Sequence, residues 1–297
     1  MSSVSNAPLN LNQLVKAHRK ALSSNRFVDW LDYVLYRRQL GYPLSACRLN
    51  EAQKWLQLNI ISRFKQRVRG HRYRQLGNLI DEYNYLSSQV LTPKPKVKPV
   101  DRNFVRLLRG QREASLSKLT KQMDNKTIAI VGNSPSLIGK GLGKEIDKHD
   151  IVIRFNQCFS EHTLNKDIGS KLSLWVIAPD FRGDYQAPEL ATIIAGPAML
   201  WKLQYWDYIK GCDLPVTDLP ISVWRDTVSE LNAPPSAGLL VLSWLKQQAL
   251  VGNCSLFGFG FSGSGQYHQA LPTHTPSERH DWGKERQIIE QWHQQKS

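Results

Sequence analysis

Two short runs in this chain, Ile128-Ala129-Ile130-Val131 and Ile151-Val152-Ile153-Arg154-Phe155, are apolar at almost every position. A half-exposed strand alternates polar and apolar residues, so a strand without a polar face has to be covered on both sides. Sheets covered on both sides are mainly parallel, and parallel neighbours need a crossover of a dozen or more residues. Residues 132–150, which separate the two runs, are long enough to supply one. Candidate strands at 127–131, 151–155, 172–178, 191–195 and 255–258 alternate with candidate helices at 139–147, 198–209 and 237–250. From Lys126 onward the chain therefore reads as an α/β domain, a Rossmann-like, mostly parallel sheet with helices on both faces.

The chain before Lys126 follows a different grammar. Apolar residues recur at three- and four-residue spacing in "FVDWLDYVLYRRQLGYPL", and Glu51-Ala52-Gln53-Lys54-Trp55-Leu56 looks like a helix start after Asn50. Arg63 to Gln75 concentrates Lys and Arg, and Thr92 to Val100, "TPKPKVKPV", reads as a Pro/Lys linker that is neither helix nor central strand. A basic helix is expected from about Asn103 to Gln122. Two parts follow: residues 1–100, basic and helical with the linker at 92–100, and residues 101–297, the α/β domain.

Charge divides along the same line. The net charge is +14, yet residues 1–126 carry 24 Lys/Arg against 8 Asp/Glu, while the remainder carries 15 against 17. Evenly spread, this charge would point to nucleic acid; gathered at one end, it gives the two parts different jobs. The aromatics do not interleave with the basic run as a base-stacking platform would require, which counts against the nucleic-acid reading. Cys47, Cys158, Cys212 and Cys254 form no C-x-x-C pair, there is no long apolar span, and Met1 to Asn6 does not open like a secretory signal. A cytoplasmic protein is the expectation.

Both apolar runs end in asparagine. Gly132-Asn133-Ser134 follows the first and Asn156 closes the second, at the strand ends where open α/β sheets bind ligands. Neither a G-x-G-x-x-G fingerprint nor a G-K-[ST] ending is present, which favours a nucleoside monophosphate over a dinucleotide, and a plain turn former after a strand remains the alternative. Ser236 is a natural N-cap for the apolar helix that follows, and with Ala237 and Gly238 it would offer backbone N–H groups to an anion; an ordinary capped core helix fits as well. Towards the end stand His268, His274 and His280, with Glu285 five residues beyond His280 on a helix expected to begin near His280. A histidine so placed can act as a general base near neutral pH, while loop histidines at the surface are the alternative and the spacing makes a poor zinc pattern. The chain has no Asp-x-Asp triplet of the kind metal-using nucleotide-sugar transferases carry.

In order along the chain these motifs resemble those of the sialyltransferases of glycosyltransferase family 29. The family's large motif is similar to Val131-Gly132-Asn133-Ser134, Glu145-Ile146-Asp147 with His149-Asp150, Arg154 with Asn156, and Gly169-Ser170-Lys171. Its small motif is similar to Pro235-Ser236-Ala237-Gly238 ending at Phe257-Gly258-Phe259-Gly260. Tyr267-His268 and His280 to Glu285 resemble the remaining two. The resemblance implies a GT-A-like variant of the Rossmann-like sheet and an inverting, metal-independent transferase with no cofactor. It implies a CMP-activated sialic acid donor and a glycan or glycolipid acceptor. Gly132, Asn133, Ser134, Asn156, Ser236, Ala237 and Gly238 would line the nucleotide. His268 would hold the leaving phosphate, His280 would be the base, and Glu285 would support it.

Ile128 and Val251 stand where animal members carry a disulfide, with Cys254 displaced by about three residues, and "GNSPSL" resembles bacterial sialyltransferases of another family. These departures imply a bacterial-type enzyme acting on a surface polysaccharide, with Kdo as the alternative donor sugar. The basic N-terminal part would then dock peripherally on an anionic inner membrane through Arg63 to Arg74 and the linker lysines, each worth about 1 kcal/mol near the surface. A nucleic-acid-binding protein and a non-catalytic nucleotide binder are the weaker alternatives.

Overall fold

The computed structural model describes residues 10–42, 44–58, 76, 79, 99–159, 165–179, 181, 183–196, 215–260, 277 and 279–294. The chain divides into two compact units, Leu9–Val105 and a second built from Arg106 onward.

The first unit contains helices α1 (Leu11–Ser24), α2 (Phe27–Gln39) and α3 (Ala46–Leu58). Leu31 and Val34 of α2 are fully buried, and the His18 ring of α1 stacks on Tyr33 at 4.5 Å. The Trp30 indole donates to Glu51 at 2.7 Å, which ties α2 to α3. Asn50 lies inside α3 rather than capping it, because the helix has already begun at Ala46. The basic stretch Arg63 to Gln75 and the expected helix at 198–209 lie outside the described residues.

Helix α4 runs Pro99–Met123, which corrects the reading of Thr92–Val100 as linker throughout. Proline suits the first position of a helix, where its missing N–H has no intrahelical partner to lose. Leu108, Leu116, Leu119 and Met123 form the buried stripe of α4. Arg112 shares that stripe and makes a bidentate pair with Asp218, its Nε donating at 2.8 Å and a second guanidinium nitrogen reaching the other oxygen.

The second unit is built on six parallel strands: β1 (Ile128–Val131), β2 (Ile151–Phe155), β3 (Leu174–Ile177), β4 (Ala191–Ile194), β5 (Val216–Asp218) and β6 (Cys254–Phe257). They lie in the order β5-β4-β3-β2-β1-β6. No residue of β1 to β4 is exposed to solvent: even Arg154 and Thr192 are buried. On one face Ala129, Val131 and Val152 pack with Leu137, Ile146 of α5 (Gly143–Asp147) and Ile168 of α6 (Asn165–Ile168). The chain proceeds outward from β1 to β5, then returns through α7 (Ile221–Leu231) and α8 (Ala237–Gln247) to add β6 on the far side of β1. The Thr227 hydroxyl donates to Ser243 at 2.8 Å and joins the two returning helices. This return makes β1/β6 the topological switch point, beside which α/β sheets open a crevice. Strand β5 and helix α7 are additions to the sequence expectation. Among the described residues no helix is long and apolar enough to cross a membrane.

Candidate functional site

At the switch point the ends of β1 and β6 are pressed together. Gly132 donates to the Phe257 carbonyl at 2.8 Å and Ser134 to the Gly258 carbonyl at 3.1 Å. A Cβ on Gly132 would strike the Gly258 carbonyl oxygen, and Gly258 adopts φ +66°. Both glycines are therefore required by the close approach of two backbones. Phe259 then passes over the N-terminus of α8, where a Cβ on Gly238 would sit 3.0 Å from its ring. A Cβ on Gly260 would meet the hydroxyl of Ser134. Gly132, Ser134 and Gly238 thus gather around the Phe259–Gly260 segment, with Ala237 and Ser236 at the start of α8.

The two strand-end asparagines act sideways. Asn133 Nδ2 donates to the Phe155 carbonyl at 2.9 Å, fastening the end of β1 to that of β2. Its Oδ1 is buried with no partner among the described residues, an acceptor the fold leaves unmet. Asn156 sits at φ 48°, in the left-handed region that asparagine tolerates, and its Oδ1 accepts from Ala178 N–H at 2.9 Å. Its carbonyl accepts from the Trp175 indole at 2.8 Å, so Asn156 fastens β2 to β3.

Other polar residues of the motif region hold the frame. Both oxygens of Asp147 accept from Ser170 N–H, and Oδ1 also from Lys171 N–H, which fixes the Gly169–Lys171 turn. Arg154, fully buried, donates to the carbonyls of Lys171 at 2.8 Å and Ile168 at 2.6 Å. Asp150 accepts from the Thr127 N–H and hydroxyl at 2.9 Å each, pinning the entry to β1.

The C-terminal helix α9 (Trp282–Gln294) begins two residues after His280. Asp281 caps it, its Oδ1 accepting from Lys284 N–H at 3.0 Å. His280 therefore precedes the cap instead of riding on the helix, and Glu285 stands in its first turn. These are the two positions, one before the cap and four after it, whose side chains meet across a helix start. Here both grip the loop that leads into α8. His280 Nδ1 donates to the Pro234 carbonyl at 2.8 Å. Glu285, 1% exposed, accepts from Ser236 N–H at 2.7 Å and from its hydroxyl at 2.6 Å.

Burial sets the protonation of both groups. It pushes His280 down to about 4, with Arg279 adding to the fall, and the Pro234 carbonyl offsets part of it. The imidazole is neutral at pH 7, and with Nδ1–H given to a carbonyl, Nε2 carries the lone pair. Burial pushes the Glu285 carboxyl up to about 7 against the lowering pull of Ser236, with Asp281 adding to the rise.

Ser236 is fully committed: its N–H and hydroxyl serve Glu285, and its Oγ caps α8 by accepting from Leu239 N–H at 3.2 Å. The N–H groups left at this helix start are those of Ala237 and Gly238, which find no acceptor among the described residues. Of the residues singled out from sequence, Gly132, Asn133, Ser134, Ser236, Ala237, Gly238, His280 and Glu285 gather about the ends of β1 and β6 and the start of α8, and Asn156 ties the neighbouring strand end. His268 and His274 lie outside the described residues. Cys254 stands directly opposite Ile128 in the β1/β6 register. The sulfur of Cys254 is buried and donates to the Leu250 carbonyl at 3.4 Å.

Residues 75–187 match the family model for glycosyltransferase family 29 (sialyltransferase). That segment carries β1, β2, β3 and the Asp147–Lys171 frame; the α8 start and His280 lie beyond it. Among curated proteins the chain is 37% identical over 65 residues to beta-galactoside alpha-2,6-sialyltransferase 2 of Takifugu rubripes, covering 21% of this chain and 12% of that relative. It is 40% identical over 52 residues to the protein of the same name from Danio rerio, covering 18% of this chain and 10% of the relative. The matched stretch thus spans about an eighth or less of these sialyltransferases. Crystal structures of a mammalian sialyltransferase, alone and in complex with Gal-beta-1-3GalNAc-ortho-nitrophenol, align over 71% of this chain and 80% of theirs, at TM-score 0.48 and identities of 21% and 18%.

Proposed function

We propose that this chain is an inverting sialyltransferase, moving a sialic acid from its CMP-activated donor to a sugar hydroxyl with His280 as general base. The observation that carries this reading is the pairing of His280 Nδ1–H with the Pro234 carbonyl, which leaves a basic Nε2 beside the α8 start at the sheet's switch point. The acceptor hydroxyl gives its proton to Nε2 as its oxygen bonds to the anomeric carbon. The bond from that carbon to the phosphate oxygen breaks on the opposite side, and cytidine monophosphate leaves with the electron pair. A neutral imidazole at every pH above about 5 keeps the lone pair available. The anionic donor, once bound, raises the affinity of Nε2 for the proton as the proton arrives.

The free N–H groups of Ala237 and Gly238, at the positive end of α8, suit the leaving phosphate. The unmet Asn133 Oδ1 suits an N–H or O–H of the nucleoside. His268 is assigned to the phosphate by resemblance. Glu285 and Ser236 act through position: they hold the loop on which His280 also pulls. The mechanism needs neither metal nor cofactor.

The Leu9–Val105 unit holds 18 Lys/Arg against 6 Asp/Glu, which suits peripheral docking on an anionic membrane and, with it, a lipid-linked bacterial surface glycan as acceptor in the cytoplasm. Co-sedimentation with phosphatidylserine vesicles that is lost in high salt supports docking; indifference to lipid charge sinks it. The transferase itself is tested with CMP-Neu5Ac and, separately, CMP-Kdo, in EDTA, against a nitrophenyl β-galactoside. Transfer that survives EDTA and falls by roughly 10²- to 10⁴-fold in His280→Ala supports the reading and names the donor. Transfer unchanged in that variant removes His280 from the chemistry, and no turnover of either donor overturns the proposed activity.

A further inference from the structure

Helix α1 rides on the outside of its unit: none of its residues is fully buried. Its outward face carries bare apolar side chains. Leu22 is 73% exposed and Val15 49%, and at a separation of two helical turns they lie along one line of the helix. Arg19 stands between them on the same side, with Lys16 and Lys20 beside it, all exposed, and α1 contains no carboxylate. Lys16 and Arg19 form no ion pair with any described residue. Lys20 reaches Asp29 of α2 at 2.9 Å and Arg26 reaches its other oxygen at 3.7 Å, yet the Asp29 side chain is 3% exposed against 66% and 70% for the two cations. The outward surface is therefore apolar and cationic, with the shared acid turned inward.

We propose that this face of α1 is where the protein rests on an anionic lipid surface, with Leu22 and Val15 entering the headgroup layer and Lys16, Arg19, Lys20 and Arg26 meeting its phosphates. The inference rests on the docking reading above and gives it a structural element and an apolar component. A single exposed aliphatic side chain is ordinary on a protein surface. Here, of the three large apolar side chains exposed among the described residues, two share one line of one helix. Aliphatic side chains aligned among lysines and arginines match an interface that is anionic at its surface and apolar below. The basic side chains lay their stems on apolar surface while their charges stay among the headgroups, so both kinds are accommodated at once. A second copy of this chain packed stripe on stripe would set the same cations against one another, which disfavours that occupant.

The full chain is sedimented at low salt with vesicles of phosphatidylcholine, with and without phosphatidylserine. The variants are Val15→Gln paired with Leu22→Gln, Arg19→Glu alone, and Ile138→Gln as a control, since Ile138 is 42% exposed and belongs to the other unit. Removing the two aliphatic side chains should lower binding to the mixed vesicles at least about tenfold. The urea midpoint should stay at the wild-type value, because neither side chain is in the core. Arg19→Glu should also lower binding about tenfold. Ile138→Gln should bind as wild type does. Mixed-vesicle binding that is unchanged in the paired variant, or reduced equally by Ile138→Gln, overturns the role of α1 while leaving docking to other basic residues. Absence of wild-type binding to the mixed vesicles removes the docking reading and this one with it. A dimer in sedimentation velocity without lipid, dissolved by the paired variant, assigns the stripe to a second copy and overturns the proposal.

Discussion

Glu285 and His280 titrate in opposite senses, so their grip on the α8 loop can be read from stability by subtraction. The Glu285 carboxyl is pushed up from 4.5 to about 7. Between those values the native state holds a proton that the unfolded chain has released, and stability falls as pH rises. His280 is pushed down from 6.5 to about 4. Between those values the unfolded chain holds a proton that the native state lacks, and stability rises with pH. Each slope is about 1.4 kcal/mol per pH unit, so the two oppose and cancel from pH 4.5 to 6.5 in the wild type. Glu285→Gln removes only the falling slope. Its stability relative to wild type should climb by about 3 kcal/mol across those two units, and His280→Gln should fall by a similar amount. Urea unfolding followed by tryptophan fluorescence at half-unit pH steps measures both. A constant offset moves neither slope and is irrelevant to the test. Parallel pH profiles for wild type and Glu285→Gln would refute the claim that this carboxyl is held against water.

Three further perturbations address the frame. Arg112→Ala takes the bidentate guanidinium from an Asp218 that is 1% exposed, and should cost about 3–5 kcal/mol in urea unfolding, with Arg112→Lys recovering only part because one ammonium does not match both oxygens. Gly258→Ala meets both an unfavourable φ and the Gly132 carbonyl, so thermal unfolding should show a loss of at least about 1–2 kcal/mol; Gly132→Ala on top should add less than its own cost, since both press on one contact. Asn156→Ala should lose about 2 kcal/mol, with Asn156→Gly regaining the backbone share but not the bond to Ala178.

Strands β1 to β4 are readable because a strand buried on both faces leaves a nearly unbroken apolar run. Strand β5 is not, because three residues carry no period and its last, Asp218, is buried in a pair with Arg112 from over a hundred residues away. Helix α7 did leave a signal: Val223, Trp224, Thr227, Val228 and Leu231 repeat at helical spacing behind Pro220. The candidate site residues were legible as types and order, whereas their bonding was not. Sequence alone offers Ser236 to a ligand; the structure gives it to Glu285, a partner 49 positions away that no local pattern announces. The separation of His280 from Glu285 does become readable once Asp281 is recognised as a cap, since it then matches the two positions that meet across a helix start.

The asparagine clips at the strand tips carry a mechanical consequence. Asn133 reaches from β1 to β2 and Asn156 from β2 to β3, each just past the point where backbone pairing stops. The loops leaving these three strands therefore spring from a laced rim and not from three separate posts. A push on one is shared by its neighbours. Such a rim holds its shape against a bulky occupant, and any freedom to admit one falls to the segments beyond the lacing.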